Sequence, residues 1–280
     1  MLPCSPEFLA LLRCPSCGGT FRGWPRWARC RECGHQVRWE EGFAQFAHPA
    51  GDLAVRYDRL AAEGRLDRPR DEALMAPLDA ALLEEVEGAC FEVGCGTGRF
   101  LARLVRQPGV RVAGGCDISR AALGAAAAAG LTNLILASGE QLPLAPASLD
   151  ALLAAYGTAV HLDPGRFFAE AARVLRPGGR LRLWTYNWWA LTARQAWAHG
   201  RLLPDLSFYP HLVFVPWRWK ARLAAAGFDQ VEIRAALLPG RVWNAVRRVA
   251  SGWGGNATPL VRWSLTPLPG VDVLLLARRR

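Results

Sequence analysis

The stretch from residue 90 to residue 100, Cys-Phe-Glu-Val-Gly-Cys-Gly-Thr-Gly-Arg-Phe, decides the fold of this chain. Its apolar start predicts a buried strand, which delivers Glu92 to the C-terminal end of that strand. Gly94, Gly96 and Gly98 then allow a tight turn in which the backbone lies against a ligand. Apolar residues at helical spacing follow, so the turn opens a helix whose N-terminal N–H groups face the same ligand. This strand-turn-helix unit predicts a nucleotide-binding site.

Two common nucleotide motifs do not fit this turn. The dinucleotide fingerprint needs a third glycine where Arg99 stands, and a phosphate-binding loop needs a Gly-Lys-Ser/Thr ending that is absent. The pattern present, acid-x-Gly-x-Gly-x-Gly, resembles the first motif of class I S-adenosylmethionine (SAM)-dependent methyltransferases. In that family the acid serves the cationic amino-acid end of SAM and the glycines pack against it. The resemblance implies these roles for Glu92 and the three glycines, with Cys95 between them also lining the cofactor.

The second predicted strand supports the same reading. It spans residues 110–116 and ends at Asp117, followed by Ile118. Asp117 lies about twenty residues beyond the last glycine, where this class of fold has a carboxylate on the ribose hydroxyls. We therefore expect Asp117 and Ile118 to contact the cofactor.

Two later stretches also resemble motifs of the family. Ser138, Gly139 and Glu140 follow the third predicted strand, where the family carries Asp-Ala-Glu, whose Asp bonds the adenine amino group. Ser138 replaces that Asp, so the Gly139 backbone would have to contribute to adenine recognition. Residues 173–179, Arg-Val-Leu-Arg-Pro-Gly-Gly, are typical of the methyltransferases grouped as type 11 and ubiquinone-biosynthesis-like.

Four cysteines near the N-terminus form two matched pairs. Cys14 and Cys17, then Cys30 and Cys33, each enclose two residues and precede a glycine that frees the backbone to turn N–H groups toward the sulfurs. Four such thiolates close a tetrahedral structural zinc site with no open position for catalysis. The unit resembles the small zinc-ribbon domains that accompany tRNA, rRNA and protein methyltransferases. That resemblance implies packing against the catalytic domain or contact with substrate.

The motifs together predict an α/β fold, namely a Rossmann-like seven-stranded class I methyltransferase sheet plus a small N-terminal zinc ribbon. We divide the chain into a zinc ribbon (1–48), a linker with N-terminal helices (49–87) and a SAM-binding domain (88–280) with Trp-rich insertions at 188–215 and 238–266. The tryptophans of these insertions fit either an apolar lid over the acceptor or additional core.

Candidate catalytic residues follow the fourth predicted strand, whose end faces the transferred methyl group in this fold. His161 is a candidate general base, because an ordinary histidine side chain can take up a proton near working pH. The alternative is that it merely precedes the cap of the next helix at Asp163. Tyr156 is predicted to contact both the cofactor and the acceptor. Tyr57 either closes over SAM, as an aromatic residue does in many such enzymes, or is a packing residue.

Net charge and cysteine usage bear on partners and location. The formal net charge is +10, and residues 184–280 carry thirteen basic but only four acidic side chains. This surplus fits an RNA, an acidic substrate or a peripheral contact with an anionic membrane. No apolar run approaches the roughly 18–20 residues of a transmembrane segment, and no signal peptide is evident. Cysteines in paired units argue for a reducing compartment, so we expect a cytoplasmic protein.

The sequence therefore predicts SAM-dependent methyl transfer to a small, hydrophobic or aromatic acceptor. An alternative is rRNA or tRNA base methylation, suggested by the ribbon and the basic C-terminal third. A second alternative is a SAM- or partner-binding module without turnover, suggested by Ser138 and the lack of an evident base. The absence of an Asn/Asp-Pro-Pro-Tyr motif and of a suitable Pro-Cys nucleophile disfavours methylation of exocyclic amines of DNA and of cytosine C5.

Overall fold

The computed structural model describes most of the chain as alternating helices and strands. The described residues are 4–24, 26–46, 51–66, 72–156, 158–186, 216–237, 261–262 and 271–280. The helices are α1 (Pro6–Leu11), α2 (Asp52–Ala62), α3 (Glu72–Leu83), α4 (Leu101–Leu104), α5 (Arg120–Ala128), α6 (Pro164–Val174) and α7 (Pro216–Ala225), with a 3-10 turn at Thr158–His161. The strands are β1 (Phe21–Arg22), β2 (Trp27–Cys30), β3 (Gln36–Glu40), β4 (Phe43–Gln45), β5 (Gly88–Val93), β6 (Val110–Asp117), β7 (Leu134–Leu136), β8 (Leu149–Ala154), β9 (Leu175–Tyr186), β10 (Phe228–Leu237), β11 (Val261–Arg262) and β12 (Val271–Arg279).

All these strands form one sheet, in the order β1-β2-β3-β4-β7-β6-β5-β8-β9-β12-β10-β11. The run from β7 to β9 is parallel, and β12 is inserted antiparallel between β9 and β10. The central strands are buried on both faces, as their nearly continuous apolar sequences require. The seven-stranded sheet predicted from the sequence is confirmed in the stretch from β7 to β10.

Helices cover both faces of the sheet, so the core has two layers. One layer packs α3, α4 and α5 against the sheet and includes Leu82, Leu101 and Trp184. The other packs α1, α6 and α7 and includes Phe168 and Trp219, whose rings lie 5.4 Å apart. Trp184 and Trp219 are therefore core residues, whereas the Trp-rich insertion at 188–215 lies outside the described residues, as does 238–266 apart from β11.

The N-terminal unit, residues 4–46, joins this sheet directly. β4 pairs in parallel with β7, through Ala44 with Ile135 and Gln45 with Leu136. The short helix α1 lies across β6 and buries Phe8, whose ring stacks on Phe91 with centroids 6.1 Å apart. A side chain at Gly114 would collide with Phe8, so this glycine makes room for the aromatic ring. The unit that the sequence analysis separated as a small ribbon thus shares a core with the rest of the chain.

The segment 49–87, expected to be a linker with N-terminal helices, contains helices α2 and α3. Strand β9 begins at Leu175, because Leu175 pairs with Leu149 before the register shifts. The helix cap predicted at Asp163 is confirmed, and Ser119 caps α5 in the same way, since each side chain accepts a hydrogen bond from the first turn of its helix. Of the described helices, none is long and apolar enough to cross a membrane.

Phe8 provides a test of this shared core. Replacing Phe8 with alanine removes a fully buried ring and should lower the free energy of unfolding by about 3–5 kcal/mol. Denaturant unfolding followed by tryptophan fluorescence measures the loss, and Val55→Ala, which truncates a side chain that is 67% exposed, is the control. Two resolved transitions, of which only one shifts in Phe8→Ala, would contradict a common core.

Candidate active site

The three glycines of the turn between β5 and α4 have different surroundings. All three have positive φ angles, of 69° at Gly94, 54° at Gly96 and 87° at Gly98. A side chain at Gly94 would collide with Thr158, and one at Gly98 would collide with Leu131. At Gly96, by contrast, no other group lies within 4 Å of where a Cβ would stand. Gly96 therefore leaves space for a ligand, whereas Gly94 and Gly98 also permit close packing within the protein. Contact of all three glycines with a cofactor stays a prediction.

Glu92 ends β5 and is almost completely buried, with 1% of its surface exposed. Its Oε2 atom has no hydrogen-bond partner among the described residues. Burial raises the pKa of this carboxyl well above its usual range, the nearby Asp117 raises it further, and the Leu101 backbone offsets part of the effect. A buried acceptor without a partner at this position fits the cationic amino group of a ligand.

Asp117 ends the neighbouring strand β6. Its Oδ2 accepts a hydrogen bond of 2.8 Å from the Gly96 N–H, and its Oδ1 accepts one of 2.8 Å from the Ser119 N–H. Burial raises the pKa of Asp117, and backbone N–H groups of Ser119, Gly96 and Ile118 offset this rise. The carboxylate thus fixes the glycine turn against the start of α5, with Ile118 half-buried beside it. Each oxygen retains acceptor capacity for a further partner.

The loop after β7 carries Ser138, Gly139 and Glu140. The Ser138 hydroxyl accepts a 3.2 Å hydrogen bond from the Glu140 N–H, which tightens the turn. Glu140 itself reaches the next helix, where its Oε1 accepts a 2.8 Å bond from the Asp163 N–H. At Gly139 a side chain would collide with Val93, so the loop lies against the end of β5. The loop therefore stands beside the glycine turn, as the sequence predicts.

Helix α2 lies across this edge of the sheet and was not expected to do so. Asp58 accepts hydrogen bonds from the Ser119 hydroxyl at 2.7 Å and from the Ala121 N–H at 2.9 Å, and so binds the start of α5. The adjacent Tyr57 faces the other way, and its hydroxyl lies 2.7 Å from His161 Nε2. Neighbouring residues of one helix thus contact both sides of the edge. The sequence offered Tyr57 as a candidate, but no local signal identified Asp58, whose partners lie more than sixty residues away.

His161 lies between the two loops of the site. It ends the 3-10 turn that begins at Thr158, whose hydroxyl donates to the Gly94 carbonyl at 3.3 Å. Leu162, directly after His161, borders Gly139. His161 and Tyr57 therefore share one hydrogen bond at the point where the glycine turn, the Ser138–Glu140 loop and α2 meet. This is the arrangement needed for a proton acceptor next to a bound cofactor.

Tyr156 is held in a different direction. Its hydroxyl donates to the buried carboxylate of Asp79 at 3.0 Å, and its ring packs edge-on against Trp184 at 4.9 Å. The hydroxyl would have to leave Asp79 to take part in catalysis, so that role stays a prediction. Cys95 and Cys116 are buried, and burial raises the pKa of both thiols above the usual range. Neither is a thiolate nucleophile at neutral pH.

The four paired cysteines converge within the N-terminal unit. Their sulfurs all lie within 4.8 Å of one another. Sγ of Cys14 is 3.6 Å from that of Cys33, and Sγ of Cys17 is 3.4 Å from that of Cys30. Each pair closes a matching turn, in which the glycine after the second cysteine donates its N–H to the carbonyl of the first. The cluster supplies the ligand set of a metal site separate from the cofactor edge.

A parallel sheet with a glycine turn, an acid near the end of β5 and a second acid ending β6 is the arrangement of a Rossmann-like domain that binds a nucleotide-containing cofactor. Residues 91–183 match the family described as "Methyltransferase domain". A malonyl-[acyl-carrier protein] O-methyltransferase of Methylococcus capsulatus is 33% identical over 197 residues, covering 67% of each chain. The protein belongs to the class I SAM-dependent methyltransferases.

Other relatives match over shorter stretches. An uncharacterized methyltransferase of Mycobacterium tuberculosis, Rv3342, is 40% identical over 109 residues, covering 36% of this chain and 41% of the relative. The O-methyltransferase resE of Aspergillus sclerotiorum is 32% identical over 119 residues, covering 40% of this chain and 45% of the relative. The chain thus spans less than half the length of these two curated relatives.

Solved structures show the same fold. A SAM-dependent methyltransferase of Thermotoga maritima, described as a possible histamine N-methyltransferase, aligns with a TM-score of 0.56 at 20% identity, covering 81% of this chain and all of that one. Geranyl diphosphate C-methyltransferase of Streptomyces coelicolor, solved with S-adenosyl-L-homocysteine (SAH), aligns with a TM-score of 0.55 at 14% identity, covering 83% of this chain and all of that one. At these identities the likeness establishes the fold alone.

Replacing Glu92 with glutamine should change SAH affinity and the free energy of unfolding in opposite directions. Because the folded-state pKa of Glu92 is raised, the folded chain keeps a proton that the unfolded chain has released. The free energy of unfolding should then fall as pH rises from about 4.5 through the raised pKa, and glutamine should abolish that part of the slope. The variant should be more stable at neutral pH, while SAH affinity falls by about 1.5–3 kcal/mol from loss of a charged hydrogen bond.

Urea unfolding between about pH 4.5 and pH 8 and calorimetric titration with SAH measure the two effects. Glu87→Gln is the control, because Glu87 is exposed and stands just ahead of the same strand. A variant of Glu92 that lost stability at neutral pH, or bound SAH as the parent protein does, would contradict this assignment.

Proposed function

We propose that this protein transfers a methyl group from SAM to an oxygen atom of a small organic acceptor. The observation that carries the proposal is the 2.7 Å contact between Tyr57 and His161 at the cofactor edge. A hydroxyl or carboxyl acceptor must lose a proton as it is methylated, and these two side chains form a group able to take it. The names of two relatives, an acyl-carrier O-methyltransferase and resE, support oxygen as the acceptor atom.

The cofactor site we propose uses the residues assembled at the C-terminal ends of β5, β6 and β7. They are Glu92, Gly94, Cys95, Gly96, Gly98, Asp117, Ile118, Ser138, Gly139 and Glu140, with Tyr156 at the border. The unpartnered oxygen of Glu92 and the open space at Gly96 fit SAM, because its amino-acid end is cationic and its body needs a close backbone approach. When bound there, SAM supplies an electrophilic methyl group on a sulfonium.

The protein's own contribution is positioning, exclusion of water and removal of a proton. Helix α2 covers the edge of the sheet and is fixed at one side by Asp58, so it holds Tyr57 over His161. His161 then receives the proton of the acceptor, and Tyr57 fixes the orientation of its ring. We assign to the Trp-rich insertions, which lie outside the described residues, the wall of a hydrophobic or aromatic acceptor pocket. This is one of the two roles that the sequence leaves open.

A structural zinc ion at the N-terminal unit is the second part of the proposal. A zinc–sulfur bond of about 2.3 Å in a tetrahedron separates the sulfurs by about 3.8 Å, close to the spacings of 3.6 and 3.4 Å. The residues therefore fit, and Cys14, Cys17, Cys30 and Cys33 would hold the ion and cross-link the short strands of a ribbon within residues 1–48. A reducing compartment such as the cytoplasm suits this site, because thiolates and not disulfides are the ligands.

Variants of the Tyr57–His161 pair test the reaction. His161→Gln should lower kcat by about 10²–10³-fold through loss of the base. Tyr57→Phe should lower kcat by about tenfold, the effect of one hydrogen bond of about 1.4 kcal/mol. Both should bind SAH as the parent protein does, which calorimetry checks. Methyl-labelled SAM offered with a panel of phenols, small carboxylic acids and carrier-bound malonyl esters measures transfer.

Arg59→Ala is the matched control, since Arg59 is an exposed residue of the same helix. Label entering ribosomal or transfer RNA but no small acceptor would instead favour the RNA alternative. Tight SAH binding with no transfer to either class would favour a binding module.

Metal content tests the zinc assignment. Elemental analysis of the purified protein should find one zinc per chain, and Cys17→Ala should abolish it. Cys4→Ala is the control, because Cys4 is a buried thiol of the same unit that lies outside the cluster. Protein without metal in which all four thiols react freely would refute the site.

A further inference from the structure

The loop that carries Ser138, Gly139 and Glu140, here called the cofactor loop (residues 138–142), is bonded to the N-terminal unit on both flanks. On its upstream flank β4 pairs with β7, and the Phe46 N–H donates to the Leu136 carbonyl at 3.1 Å. On its downstream flank the Arg13 N–H donates to the Pro143 carbonyl at 2.9 Å. The Ala145 N–H donates to the Leu11 carbonyl at 2.8 Å on the same flank.

Both flanks lead directly to the four-cysteine cluster. Cys14 is the residue after Arg13, which bonds the downstream flank. On the upstream side β4 pairs with β3, β3 pairs with β2, and β2 ends at Cys30. Leu12 and Leu144 bridge the two parts and are fully buried in a core that also contains Trp39. The cluster therefore joins, at one point, the two segments that border the cofactor loop.

The N-terminal unit has too little secondary structure of its own to keep the two flanks of the cofactor loop in place by itself. Its four strands contain two to five residues each. Strands of this length gain little from their own packing, and small units of this size usually depend on a metal for their fold. The link between the two flanks is therefore expected to depend on the ion.

Helix α6 holds the same loop independently of the cluster. Glu170 accepts the Leu142 N–H at 2.5 Å, and Arg173 donates to the carbonyls of Leu142 and Leu144 at 2.8 and 2.7 Å. These bonds involve no residue of the cysteine cluster, so we expect them to persist when the cysteines lose their ion. Loss of the metal should consequently loosen the loop without unfolding the catalytic sheet.

We propose that metal binding at Cys14, Cys17, Cys30 and Cys33 positions the cofactor loop, so that metal occupancy and cofactor affinity are coupled. The inference rests on the proposed zinc and SAM sites. Linkage requires the effect to be reciprocal, so SAH binding should tighten metal binding by the same factor that metal binding tightens SAH binding. The residues of the N-terminal unit that contact the loop are positioning residues, because they act through its backbone.

Hydrogen exchange of the full-length protein without cofactor is the first test. In Cys17→Ala, the amides of residues 138–145 should exchange about tenfold faster than in the zinc-loaded parent, except Pro143, which has none, and Leu142, which Glu170 holds. The β5 amides should keep their protection. Cys17 is exposed, so its truncation acts through the metal and opens no core cavity. Ser16→Ala, next to it, is the control and should change neither region. Cys17→His, which retains a zinc ligand, should restore protection of 138–145.

A second variant breaks the link and keeps the metal. Arg13→Pro deletes the N–H that bonds Pro143 but leaves all four thiols, and Leu12 already has the extended angles (φ −71°, ψ 140°) that a following proline requires. It should keep one zinc per chain and still expose 138–145 to exchange. Arg13→Ala retains the N–H and is the matched control. If Cys17→Ala loses exchange protection throughout the protein, the comparison of Arg13→Pro with Arg13→Ala alone tests whether the N-terminal unit positions the cofactor loop.

Calorimetry with SAH completes the design. Cys17→Ala and Arg13→Pro should each bind SAH about tenfold more weakly than the parent, and the two controls and Cys17→His should not. Unchanged exchange at 138–145 in metal-free Cys17→Ala and in Arg13→Pro would overturn the inference. Failure of the zinc-loaded parent to bind SAH would instead refute the proposed cofactor site, while the exchange data, taken without cofactor, would still test the link between metal and loop.

Discussion

The parallel pairing of β7, β6, β5 and β8 is the constraint on which the rest of the structure depends. Parallel strands in register end at one edge, so Glu92, Asp117 and the loop after β7 meet there although they are distant in sequence. Burial raises the pKa of both carboxyl groups, and Asp117 raises that of Glu92 further, so a cationic partner is favoured here. Helix α2 borders the same edge, where Asp58 bonds the start of α5 and Tyr57 bonds His161.

Much of this arrangement follows from short-range patterns in the sequence. The glycine turn, the acids ending two strands and the capping residues Ser119 and Asp163 act on neighbours a few residues away, and each lies where the pattern predicts. The cysteines paired in the sequence also lie together in the structure, because two residues between the thiols and a following glycine fix a turn by themselves. Local chemistry of this kind is visible in a single sequence.

Long-range partners were the part that the sequence could not reveal. Asp58 carries no signal of its own, and its contact with α5 exists only because α2 lies across the sheet. The pairing of β4 with β7 depends on three-residue strands whose sequences do not distinguish them from a separate ribbon. The glycine pattern likewise does not reveal that the missing side chains of Gly94 and Gly98 also make room for Thr158 and Leu131.

The pairing of the N-terminal strands with β7 also affects the tendency of the protein to self-associate. A bare outer strand presents unpaired N–H and C=O groups that recruit strands from other molecules. Here β7 is covered, and this end of the described sheet finishes instead in β1, which is two residues long. Such a short border offers too few bonds to template a neighbouring chain. Covering β7 therefore protects this end of the sheet against edge-to-edge association.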